Sequence, residues 1–149
     1  MNDLPSVKAA RSGYVKSYTD RMKRLGFVVA RPLVPASKVS ELLDYAEVMR
    51  FGYMLDIAEN AKDGDPLLAD LGGANSVVLL TAAELVAVEK RAKPDTVEEY
   101  RFHAGRMIDA DAASMLPDVS EADAIRHKAR VAAHGAAVKY YKRKLLALL

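Results

Sequence analysis

The side chains best able to do chemistry in this chain are its three histidines, His103, His127 and His134. Imidazole serves as a general base or as a metal ligand near neutral pH. Glu99 and His103 stand four apart, which places them on one face of a helix and allows them to pair. A dinuclear carboxylate bundle would need Glu-x-x-His twice and further glutamates, and that tetrad does not occur. His127 and His134 stand seven apart, about 10 Å along a helix axis, which is too far for a chelating pair. No ligand set closes, so the histidines are expected to be structural or solvent-exposed, with no metal assigned.

The carboxylates do not converge either. Asp109 and Asp111 are two apart and point to different sides of a helix. Asp63 and Asp65 flank Gly64 in a turn that lacks the downstream oxygens of a calcium loop. Gly72-Gly73 has neither the glycine spacing nor the Lys-Ser/Thr of a phosphate loop. No serine lies in a Gly-x-Ser-x-Gly elbow, and with no cysteine there is no thiol nucleophile, thiolate zinc site or disulfide. No catalytic residue, metal ligand or cofactor site is assigned, and the chain reads as a non-enzyme.

The elements that would position any site are helical. Ser6 can cap a first helix whose apolar residues Val7, Ala10, Tyr14, Tyr18, Met22 and Leu25 share one face, with Gly26 as its terminator. Residues 27–35, FVVARPLVP, are expected to be an extended apolar connector lying across the core, since two prolines in four residues, each lacking a ladder donor, rule out a central strand. Ser37 then caps a second helix with the stripe Val39, Leu42, Leu43, Ala46, Met49, Tyr53 and Ile57, widened by Phe51, Met54 and Leu55. A helix so apolar is central in a bundle or covered by a partner. It ends at the turn Asp63 to Pro66, after which Leu67, Leu68 and Leu71 suggest one helical turn. Thr81 with Glu84 forms a capping box that opens a helix ending before Pro94, and Thr96 with Glu99 forms another. Ser120 and Asp123 open the last helix, a basic amphipathic segment over about 121–149. The expectation is one all-α domain over 1–149, about five helices in a bundle with extended apolar connectors.

A net charge of +2 conceals a segregated layout. Residues 1–55 carry nine Lys/Arg against five Asp/Glu, 56–123 carry six against fifteen, and 124–149 carry seven bases and no acid. The longest uncharged run, Leu71 to Ala83, is broken by Gly-Gly and too short to span a bilayer. The N-terminus has no apolar run of signal-peptide type, so a cytoplasmic or virion location is expected.

The chain ends on GAAVKYYKRKLLALL, its most apolar pentamer placed where chains usually fray. That end should be pinned on its own core or on a neighbour. Charge segregation favours the neighbour, since acidic and basic regions can meet head to tail between copies. The leading reading is therefore a structural subunit of a homomeric assembly, such as a virion or phage capsid component or a similar scaffold. Tyr140, Tyr141, Leu145, Leu148 and Leu149 would make its apolar contacts. Lys139, Lys142, Arg143 and Lys144 would meet an acidic surface around Asp109, Asp111 and Asp118. The alternative is a small nucleic-acid-binding protein touching phosphates through Arg21, Lys23, Arg24, Lys142, Arg143 and Lys144.

The stretch RMKRLGFVVARPLVPASKVSELLDYAEVMR resembles the ribbon-helix-helix repressors in its order: basic segment, short extended run, proline or small polar cap, helix. The resemblance covers about thirty residues and supports the nucleic-acid alternative. Pro32 departs from the pattern, for it stands inside the would-be strand where dimeric pairing needs backbone donors.

Overall fold

The computed structural model describes residues 18–73 and 77–149. The chain divides into two compact units, Met1–Leu33 and Val34–Leu149. The described part is all-α, with no strand among the described residues.

In the first unit residues 18–24 are helical (α1), and Gly26 takes φ 97°, the left-handed conformation that glycine adopts without strain. The rest of the first predicted helix, with Ser6, Val7, Ala10 and Tyr14, lies outside the described residues. The run from Val28 to Pro35 takes no regular secondary structure, which suits its two prolines. That removes the strand on which the ribbon-helix-helix likeness rests.

The second unit opens with a 3-10 turn, Ala36–Lys38, leading directly into α2, Val39–Asn60. Ser37 therefore sits inside the turn and caps nothing; Lys38 occupies the cap position with no side-chain hydrogen bond. Asp65 caps α3, Pro66–Leu71, by accepting from the Leu67 amide at 3.0 Å, with Pro66 at the first helical position. The capping box of Thr81 and Glu84 opens α4, Ala82–Glu89, with both reciprocal bonds made.

The second expected capping box does not form. α5 spans Pro94–Ser114, so Thr96 and Glu99 lie within its opening turns. Proline at the first position wins: its fixed φ suits a helix start, and its missing donor would have been unsatisfied there anyway. α6 runs Glu121–Leu146, capped by Ser120, whose hydroxyl accepts from the Asp123 amide at 3.1 Å.

α5 and α6 form the most extensive packed pair, and α2 and α3 lean on the other flank of α6. The middle of α6 can be central because its buried face is small: Ala129, Ala132, Ala133, Gly135 and Ala137. A Cβ on Gly135 would stand 3.1 Å from Val77 Cγ2 and 3.5 Å from Met107 Sδ. The close approach repays a mid-helix glycine that would otherwise cost about 1 kcal/mol. A separate cluster of Val88, Val97, Tyr100, Ala104, Val138 and Leu145 ties α4, α5 and the end of α6 together.

Candidate functional site

The C-terminal end is pinned on its own chain. Leu145 is fully buried, and Tyr141 packs against the same cluster. The expected intermolecular role of Leu145 thus meets a physical obstacle: its side chain has no surface to offer. Arg91 donates to the Leu148 carbonyl at 3.0 Å, holding the last turn. What this end leaves exposed is Leu148 and Leu149, with Tyr140 half-buried.

The basic residues of α6 also find partners within the chain, and not the acids first named. Arg143 binds Glu47 at 2.8 Å, and Lys144 binds Asp44 at 2.6 Å. Lys144 beside Asp44 holds that carboxyl below its usual range, with Arg143 adding to the effect. Lys142 donates to the Val78 carbonyl at 2.7 Å. Lys139 is exposed, as are Asp109, Asp111 and Asp118. Further up α6, Arg130 grips Glu59 through Nε and Nη2 at 2.8 and 3.0 Å. Arg126 donates to the Ala58 and Ala61 carbonyls at the end of α2 and to Asp63. Acids on α2 and in the turn after it, from both sides of residue 55, therefore pair with the bases of α6. Arg21, Lys23 and Arg24 lie on α1, in the other unit.

The α2 stripe is where the structure departs furthest from expectation. The face turned to the core is Phe51, Met54, Ile57 and Ala58. Of the expected stripe, Ile57 is buried, as are Phe51 and Met54 that widen it; Leu42, Ala46 and Leu55 are half-buried, and Val39, Leu43, Met49 and Tyr53 are exposed. Tyr45 and Val48 extend this exposed apolar surface. The reason is that α2 carries two apolar arcs and packs chiefly on one helix, α6. Its C-terminal half holds the aromatic and large aliphatic groups that fill the space beside α6, and they set the rotation. In the first unit the connector is not covered as expected: Val28 and Val29 are 87% and 80% exposed, and Leu33 is fully exposed.

One constellation escaped sequence reading. His103 on α5 and His134 on α6 meet in the interior, Nδ1 to Nδ1 at 2.9 Å, with exposures of 5% and 7%. They are thirty-one residues apart, so only the docking of the two helices joins them; the spacing argument could compare His134 with His127 alone. Phe51 and Phe102 meet His103 edge-on, and Tyr141 stacks on it at 5.9 Å between centroids. The expected Glu99–His103 pair is present, Oε2 to Nε2 at 3.5 Å.

With both rings neutral, one arrangement of protons satisfies all of these contacts. The Glu99 carboxylate can only accept, so His103 carries its proton on Nε2 and leaves Nδ1 as an acceptor. His134 must then hold its proton on Nδ1 and donate it to His103, which leaves His134 Nε2 bare. Burial, then the neighbouring His103, pushes His134 down to about 4, so it is neutral at pH 7. Burial lowers His103 too, against the pull of Glu99.

His134 lines a cleft of about 520 Å³ between α2, α5 and α6. Its walls are Leu55 and Glu59 of α2, Phe102, Arg106, Asp109, Ala110 and Ala113 of α5, and His127 and Arg130 of α6. Among the described residues no group of three or more His, Asp or Glu gathers to hold a metal ion, and no helix is long and apolar enough to cross a membrane. Comparison with family models, characterised proteins and solved structures finds no match to this chain.

Proposed function

We propose that the protein is a structural subunit that associates with copies of itself, a shell or scaffold component of the virion type. The observation that carries this reading is the apolar surface of α2: Val39, Leu43, Tyr45, Met49 and Tyr53 at helical spacing, all exposed. Isolated exposed apolar residues are ordinary, but a contiguous stripe on one helix marks an interaction surface. The exposed Val28, Val29 and Leu33 supply a second apolar element in extended form. The contact surface thus moves from the C-terminal helix, whose apolar and basic groups are largely engaged within the chain, to α2 and the run before it. That engagement also weakens the nucleic-acid alternative, because Lys142, Arg143 and Lys144 already hold the partners described above.

The test is the solution mass of nuclease-treated protein by light scattering, beside a Leu43→Glu/Met49→Glu variant. The expected result is a discrete mass well above 16.3 kDa for the parent and the monomer mass for a still-helical variant. Salt should change the parent's mass little, since the contact is apolar. A parent that is monomeric at high concentration would sink the reading.

A further inference from the structure

The α2/α5/α6 cleft holds polar groups that the interior does not use. His134 is more than nine-tenths buried, its Nδ1 is spent on His103, and no hydrogen bond to Nε2 is made among the described residues. No buried side-chain nitrogen or oxygen among the described residues lacks a partner, which agrees with an Nε2 open to the cleft that the ring lines. There it is a neutral acceptor, held in place through His103 by Glu99.

The charges around it differ in availability. Arg130 and Glu59 neutralise each other through their two-point contact. Arg106 and Asp109 form no salt bridge, with each other or with any described residue. Arg106 is steadied over the Phe102 ring at 5.4 Å, and its guanidinium makes no hydrogen bond among the described residues. His127 approaches Arg130 at 3.5 Å. Among the described residues the cleft therefore offers a guanidinium and a carboxylate outside any ion pair, and an imidazole nitrogen, beside an apolar wall of Leu55, Phe102, Ala110 and Ala113.

We infer that this cleft binds a small zwitterion, an α-amino acid with an apolar or aromatic side chain. Its carboxylate pairs with Arg106, its ammonium donates to Asp109 and to His134 Nε2, and its side chain lies on Phe102 and Leu55. The volume suits a ligand of that size. A simple anion would face the repulsion of Asp109, and a simple cation that of Arg106. Only a ligand bearing both charges satisfies the pair. This site does not depend on self-association.

The experiment uses full-length protein with ¹⁵N-labelled histidine, titrated with L-phenylalanine at pH 7 and followed by the His134 nitrogen signals. Without ligand, Nε2 should show as the bare nitrogen and Nδ1 as the protonated one. L-Phenylalanine should shift Nε2 saturably, with Kd in the millimolar range or tighter. Phenyllactate and phenethylamine, each missing one charged group, should bind about tenfold or more weakly. Arg106→Gln and Asp109→Asn change exposed groups, so the fold should persist while saturation is lost. The inference is overturned if L-phenylalanine leaves Nε2 unmoved up to about 10 mM. Equal shifts from all three compounds would overturn it as well.

Discussion

The C-terminal helix and the second helix make an instructive pair. Each is an amphipathic segment with more apolar surface than a small bundle needs, and each looks able to serve as an interface. Their fates differ. α6 is gripped by four helices: α5 along its alanine face, α2 through ion pairs, α3, and α4 near its end. α2 has its second half against α6 and much of the stripe in its first half facing out. A terminal position does not make a helix free, and an internal one does not make it buried. What decides is how many neighbours can reach each arc. Small residues on α6 let several helices approach, whereas bulky groups at Phe51 and Met54 keep α2 on one side of the bundle.

The sharpest way to break this comparison is at Leu145. If α6 belongs to its own core, Leu145→Ala should cost about 3–4 kcal/mol, because the site is fully enclosed and cannot collapse easily. Urea unfolding followed by circular dichroism measures this. Truncation after Val138, which removes Leu145 and Tyr141 together, should leave no cooperative transition. A truncated chain that stayed folded would return α6 to the surface.

Next in size is the histidine pair. With a folded value near 4 and an ordinary value of 6.5, His134 takes up a proton more readily in the unfolded chain. Its contribution is intact above pH 6.5 and is lost as pH falls toward 4, by up to about 3 kcal/mol. His103 acts in the same direction. Denaturant midpoints from pH 7.5 to 4.5 should fall steeply in the parent and more gently in a His134→Gln variant. Parallel curves would show that the pair is not the titrating group.

Arg126 follows. It is mostly buried and holds two carbonyls at the end of α2, groups that have no partner within the helix. Arg126→Met keeps much of the volume but removes these charged donors, at an expected cost of about 2 kcal/mol. A loss under about 0.5 kcal/mol, the usual scale of surface changes, would mean that water replaces the guanidinium without penalty.

How much of this was legible in the sequence follows from how local each signal is. Ser120, Gly26 and the Thr81–Glu84 box act within a turn, and each stands where it was read. Thr96–Glu99 fitted the same pattern yet lost to Pro94, two residues earlier, because a motif does not reveal which of two adjacent starts the chain will use. The rotation of α2 was illegible for a different reason. Periodicity shows that an apolar arc exists, but a helix with two such arcs needs knowledge of its neighbours. The His103–His134 contact and the cleft beside it are wholly tertiary. Only Glu99–His103, four residues apart, could be anticipated.

The smallest expected effect on stability is also the one that separates the two regions most cleanly. Val28, Val29 and Leu33 are exposed, so their burial contributes little to the monomer. Changing all three to Ser should alter the unfolding free energy of the dissociated chain by less than about 0.5 kcal/mol. The same change should lower the solution mass at a given concentration, because these groups are proposed to become buried only between copies. A stability loss comparable to that of Leu145→Ala would show that they belong to an internal core as α6 does. An unchanged mass with unchanged stability would confine the association surface to α2, where Leu43 and Met49 would then have to carry it alone.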